Sequence, residues 1–252
     1  QDKAKLADIC YKLINNDAYG LHNGILNNLK DILPPECISN LLERDYQYSY
    51  IKLDLAFALR DAPLFETMLE GRRTTSDYSR LAKCYMDYGD LDKALSFANK
   101  MDQGHAEYNK SDLLEEIYII KKDNEALKNL YCQDYLIKAD DKLEKKIIAL
   151  LGAAFFADIL QTRVEQVMAS PSFSQDEFLF LMKKVNVEAA EEYLLARKDK
   201  IDNQYFERPF LNQVKKKCSP LAQTVVCRVP LNFYLNNAKS KYYSTAANYL
   251  KY

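Results

Sequence analysis

Two histidines, six cysteines and nineteen tyrosines are where chemistry would have to be found in this chain of 252 residues. His22 follows Gly20 at the start of a helical pattern, where a structural hydrogen bond is the ordinary role. His105 follows Gly104 in a polar, solvated stretch. No H-E-x-x-H motif or Cys/His cluster accompanies either one, so zinc ligation has no framework here. Cys10, Cys37, Cys84, Cys132, Cys218 and Cys227 are scattered without a C-x-x-C pair. Most fall at apolar helical positions and read as reduced core thiols of a cytoplasmic protein. A Gly-rich phosphate loop and a G-x-S-x-G elbow are both missing. The carboxylate pairs Glu115-Glu116 and Glu191-Glu192 fall on faces expected to be solvated. The expectation is a non-catalytic protein with no cofactor and no metal.

Charge gives a second lead. From residue 203 to 252 there are eight bases and one acid, a balance of +7, while the rest of the chain carries −8. A basic end on an acidic body suits an acidic partner. Within that end, Lys239, Ser240, Lys241 and Tyr242, together with Lys215 and Lys216, are the candidate anion- or partner-binding residues. Ser240 can cap a last helix, and the lysines then flank free N–H groups that attract phosphate or carboxylate. The plainer reading makes Ser240 a cap and leaves the lysines solvated. Tyrosine combines a buried ring with a polar tip and so suits the wall of a binding groove. Most of the tyrosines nevertheless stand at helical core spacing.

The elements that must position these residues are helices. In residues 81–101, Leu81, Cys84, Tyr85 and Tyr88 recur at one helical face. Gly89 stops that helix, and Asp90 can cap the next. The second helix is expected to bury Leu91, Ala94, Leu95, Ala98 and Met101. This hairpin resembles a tetratricopeptide repeat at Leu81, Tyr85, Gly89, Ala94 and Leu95. It departs from that motif at Ala98 and Met101 and lacks the closing proline.

Ahead of it, helices are expected over residues 3–15 (with Leu6, Ile9, Cys10 and Leu13 inward), 21–33, from Pro34-Pro35, over 50–59, and from Pro63 to Gly71. Capping boxes are expected at Thr74/Asp77, Asp112/Glu115 and Ser174/Glu177. The hairpin turn returns at Lys122-Asp123-Asn124, Lys184-Val185-Asn186-Val187 and Lys216-Lys217-Cys218-Ser219-Pro220, with Gly152 where one more is due. Ala189, Ala190, Tyr193 and Leu194, then Leu221, Ala222 and Val225, continue the inward pattern. A period near 32–34 residues marks stacked hairpins, none of which can bury its apolar face alone. Pro209 and Pro230 fall inside helical pattern and predict kinks or fresh helix starts.

Asp17-Ala18-Tyr19-Gly20-Leu21-His22-Asn23-Gly24 near the start, the helix start at Pro220-Leu221-Ala222, and Ala238-Lys239-Ser240-Lys241-Tyr242-Tyr243 with Ala246-Ala247-Asn248-Tyr249-Leu250 at the end go beyond a generic repeat. They resemble an uncharacterised bacterial all-helical family found downstream of SWIM-type zinc fingers. The resemblance implies a solenoid of hairpins attached to a zinc-binding module, and no particular activity.

The expected fold is all-α, a right-handed α-solenoid of TPR-like hairpins with about 14–15 helices. Residues 1–252 are expected to form one elongated domain, irregular over 1–73 and repetitive over 74–252, excised from a longer protein. No apolar run is long enough to span a membrane. The expected function is a non-catalytic scaffold for a protein or peptide. The alternative is an accessory nucleic-acid-binding domain using the basic end. Oligomeric state is not readable from the sequence.

Overall fold

The computed structural model describes residues 2–15, 26, 29, 31, 33–69, 71, 73–102, 109–201, 206, 208–236 and 247. These residues form α-helices, one short 3-10 turn and connecting segments, with no strand among them. The chain divides into two compact units, Gln1–Leu130 and Tyr131–Tyr252. The first holds α1 (Asp2–Asn15), α2 (Pro35–Leu42), α3 (Ser49–Leu59), α4 (Ala62–Met68), α5 (Thr75–Tyr88), α6 (Leu91–Asn99) and α7 (Lys110–Lys121). Helix α8 (Asn124–Ile137) begins in the first unit and ends in the second. The second unit continues with α9 (Asp141–Leu151), α10 (Ala153–Ala169), α11 (Gln175–Lys184), α12 (Val187–Leu195), α13 (Arg208–Lys217) and α14 (Pro220–Asn236).

From α5 onward the helices come in pairs. The first members begin at Thr75, Lys110, Asp141, Gln175 and Arg208, in steps of 31 to 35 residues. The two helices pack on each other in α5/α6, α9/α10, α11/α12 and α13/α14. Turn chemistry sets the spacing. Gly89 adopts a left-handed φ of 94°, and both it and Asp90 donate their N–H groups to Tyr85 O at 3.0 Å. Asp90 then accepts from Lys93 N at 3.0 Å to start α6. Lys122 (φ 56°) and Asp123 repeat that geometry, with Asp123 accepting from Ala126 N at 3.0 Å. Asn186 and Ser219 cap α12 and α14 from equivalent positions. Gly152, at φ 87°, ends α9 and starts α10 in a single residue, so the expected turn is present there in its shortest form.

The core of the first unit forms two clusters. One joins α1, α2 and α3 through Cys10, Ile14, Ile38, Leu41, Ile51 and Leu55. The other surrounds Phe65, Leu81, Tyr85, Ala94, Phe97 and Ile117. The second unit is centred on Val167, Phe173, Phe178, Tyr193, Phe210 and Val226.

Several expectations need correction. In α1 the inward face is Ala7, Cys10 and Ile14, while Ile9 and Leu13 are exposed. Polar ties fix this rotation: Tyr11 Oη donates to Asp45 O at 3.0 Å, and Arg44 pairs with Asp8 at 2.7 Å. Tyr88 is 58% exposed at the end of α5. The inward aromatic place is taken by Phe97, stacked on Tyr85 with centroids 5.6 Å apart. Leu221 is 59% exposed, and α14 faces inward through Ala222, Val225, Val226 and Val229.

The box at Thr74/Asp77 forms in both directions. At Asp112/Glu115 it does not, because α7 starts earlier, with Asn109 accepting from Ser111 N at 3.1 Å. Pro209 sits in the first turn of α13, whereas Pro230 lies within α14 and starts no helix. Among the described residues no helix is long and apolar enough to cross a membrane.

Candidate functional site

Of the residues singled out in the basic end, Lys215 and Lys216 lie exposed in the last turn of α13. Cations there are favoured by the negative end of the helix dipole, a structural role. Lys239, Ser240, Lys241 and Tyr242 lie outside the described residues, as do His22 and His105. Only the Lys215 and Lys216 part of the candidate anion site thus falls within the described residues. Glu191 departs from its expected solvated place. Its carboxylate accepts from Ser219 N at 2.5 Å and Ser219 Oγ at 2.8 Å, and so fastens the start of α14 to α12. Glu192 is exposed. All six cysteines are free, and burial pushes the Cys84 and Cys218 thiols up to about 11, away from nucleophilic use.

A concavity with a mixed polar and apolar lining lies in the second unit. A cleft of about 670 Å³ opens between the end of α8, the start of α9, the middle of α10 and one face of α11. Asp140 accepts from Lys142 N at 2.7 Å and Leu143 N at 2.9 Å, capping α9. The next residue, Asp141, receives Lys183 at 2.6 Å and Lys184 at 3.1 Å from the last turn of α11. Those two ammonium groups hold its carboxyl down at about 2. Lys184 also pairs with Glu144. Burial alone would lower the Lys184 ammonium, but hydrogen bonds to Glu144 and Asp141 raise it on balance.

The same cleft is lined by Arg163 of α10. Its side chain is only 14% exposed, and Nη2 lies 3.6 Å from Glu177 Oε1, beyond hydrogen-bond length. Its Nε is buried and finds no acceptor, and its guanidinium faces the Phe180 ring at 5.8 Å. Ile137, 67% exposed, and half-buried Leu179 and Phe180 supply apolar wall. Close by, the fully buried Tyr135 hydroxyl has no partner among the described residues, and burial pushes it up to about 12. The tyrosine thus stays a neutral donor.

Behind the cleft, a buried network fixes Glu177. Its Oε2 lies 2.6 Å from Tyr193 Oη, which also accepts from Ser174 N at 3.0 Å. The box expected at Ser174/Glu177 is thus relayed: Ser174 Oγ accepts from Glu177 N, but Glu177 reaches back through Tyr193. Burial and the Glu177 contact both raise the Tyr193 hydroxyl, keeping it protonated. Arg197 lies 4.0 Å over the Tyr193 ring and is 6% exposed. It donates to Tyr193 O of its own helix at 2.9 Å, and to Met168 O at 2.7 Å and Ser170 O at 2.8 Å, covering orphan carbonyls at the end of α10.

A second polar cluster lies in the first unit. Tyr85 Oη donates to Glu66 and accepts from Lys93 Nζ at 3.0 Å. Burial and the Glu66 contact raise the Tyr85 hydroxyl, so it relays hydrogen bonds between α4 and α6 rather than releasing a proton.

Arg163 and Arg197 were not among the sequence candidates, yet they carried a signal. Phe156, Leu160, Arg163 and Val167 recur at one helical face, as do Ala190, Tyr193, Leu194 and Arg197. A cation at an inward position must find partners or change its surroundings. No protein-family model, curated protein or solved structure matches this chain.

Proposed function

We propose that the chain is a non-catalytic helical-repeat scaffold that binds a protein or peptide. The hairpins within each unit stack in the right-handed, tetratricopeptide-like manner, and the protein works in the cytoplasm. One observation carries this reading: each paired turn leaves a large apolar side chain exposed. Tyr88 stands at the α5/α6 turn, Ile119 and Ile120 at α7/α8, Ile148 near α9/α10, Val185 at α11/α12 and Leu221 at α13/α14. Exposed apolar groups that recur with the repeat give a partner regular footholds. The likeness of the chain's end motifs to the helical family beside SWIM zinc fingers belongs to the same proposal, with the scaffold serving a zinc-binding neighbour.

The test is a peptide array probed with the chain and with Tyr88→Ser, Ile120→Ser and Val185→Ser. These side chains are exposed, so the fold is expected to persist. Peptides retained by the wild type and lost by the variants support the scaffold. An array bare of signal, or retention unaffected by every variant, overturns it. Binding to nucleic acid that weakens steeply with salt would favour the basic end instead.

A further inference from the structure

The cleft of the second unit has one poorly matched wall. Of its acids, Asp140 is committed to the α9 cap, Asp141 to Lys183 and Lys184, and Glu177 through Oε2 to Tyr193, while Asp176 is exposed to solvent. Of its bases, Lys183 and Lys184 are paired, and Lys138 is exposed to solvent. Arg163 alone is mostly buried and has no hydrogen bond among the described residues, only the 3.6 Å approach of Glu177. A guanidinium is built to take two parallel bonds from a planar anion. Beside it are Phe180, Leu179 and Ile137, an apolar wall at the cleft.

We propose that this cleft receives a short peptide segment whose carboxylate docks on Arg163 while its apolar neighbours rest on Phe180, Leu179 and Ile137. The inference rests on the scaffold reading and names the ligand chemistry of one site. The charge count favours a single carboxylate over phosphate or a polyanion. Lys138, Arg163, Lys183 and Lys184 are matched by Asp140, Asp141, Asp176 and Glu177, so the lining is neutral as a whole. A multiply charged ligand would face those acids, whereas one carboxylate meets one under-used guanidinium. The volume of about 670 Å³ lies in the range of small-ligand and short-peptide sites. The carboxylate can belong to an acidic side chain or to a chain terminus, and the two are separable by experiment.

The Nε–H resonance of Arg163 in the whole chain is the reporter, assigned by its loss in Arg163→Lys. Three probes are titrated to millimolar concentration: acetyl-Leu-Glu-Leu-Phe-amide, acetyl-Leu-Gln-Leu-Phe with a free C-terminus, and acetyl-Leu-Gln-Leu-Phe-amide. A downfield shift with either carboxylate peptide but not with the doubly neutral one supports the site and identifies the carboxylate's source. Arg163→Lys then weakens that peptide about ten- to a hundredfold. Ile137→Ser, at an exposed position, weakens it about threefold without unfolding risk. No shift with any peptide, or equal shifts with all three, overturns the proposal. So does 4-phenylbutyrate binding as well as the peptides, which would make the occupant a small organic acid. An array that binds peptides through the turn residues, while Arg163 stays silent, leaves the scaffold standing and removes only this site.

Discussion

Replacing Arg197 by Met tests how the second unit holds together. The guanidinium makes three well-formed bonds, to Tyr193 O, Met168 O and Ser170 O, at 2.7 to 2.9 Å. Charge-assisted bonds contribute about 1.5–3 kcal/mol each, so the gross loss is about 5–9 kcal/mol. Removing the cation also recovers its own desolvation cost of several kcal/mol. The expected net destabilisation is about 2–4 kcal/mol, from carbonyls at the end of α10 left without donors. Arg197→Lys keeps the charge but loses the fork and should fall between. Hydrogen exchange read by mass spectrometry on peptides covering residues 153–201 localises the effect to this unit. Protection there should fall about thirtyfold or more, and peptides from residues 49–99 should not change. Protection unchanged over 153–201 in Arg197→Met would refute the claim that this residue fastens α10 to α12.

Three further outcomes follow from local geometry. Thr74→Ala removes the side-chain half of a formed capping box, while its backbone N–H can still donate to Asp77, and should cost about 1 kcal/mol in urea unfolding, whereas Asp112→Ala should cost little because Asn109 caps α7. Gly89→Ala should cost about 1–2 kcal/mol through its φ of 94° alone, because a Cβ there meets nothing within 4 Å. Asp141 has a folded-state carboxyl held at about 2 against an ordinary 3.8. Its contribution is therefore present above about pH 4 and lost as pH falls towards 2. Asp141→Asn should accordingly remove part of the fall in stability over that window, as read by thermal melts at stepped pH.

Helix pairing was legible because it depends on near neighbours. Gly89-Asp90, Lys122-Asp123, Asn186 and Ser219 each stop one helix or cap the next within a few residues, so their spacing carries the repeat. Exposure at pair ends was not legible in the same way. Tyr88 and Leu221 obey the apolar period, but whether a neighbour reaches far enough to cover them depends on helix lengths and packing elsewhere. The rotation of α1 was set by Tyr11 and Asp8 reaching residues 44 and 45, contacts separated by more than thirty residues.

The same division applies to the cleft. The sequence by itself determined that the chain is helical, that its helices come in pairs at a near-constant step, and that no familiar catalytic or zinc motif is spelled out. Tertiary structure alone decided that Asp141 meets Lys183 and Lys184, that Glu177 is held by Tyr193, and that Arg163 is left with a guanidinium poorly matched in a cleft. Local pattern encodes backbone geometry, which is set within a turn or two. Which charges meet, and which remain under-used, depends on side chains brought together across tens of residues by packing.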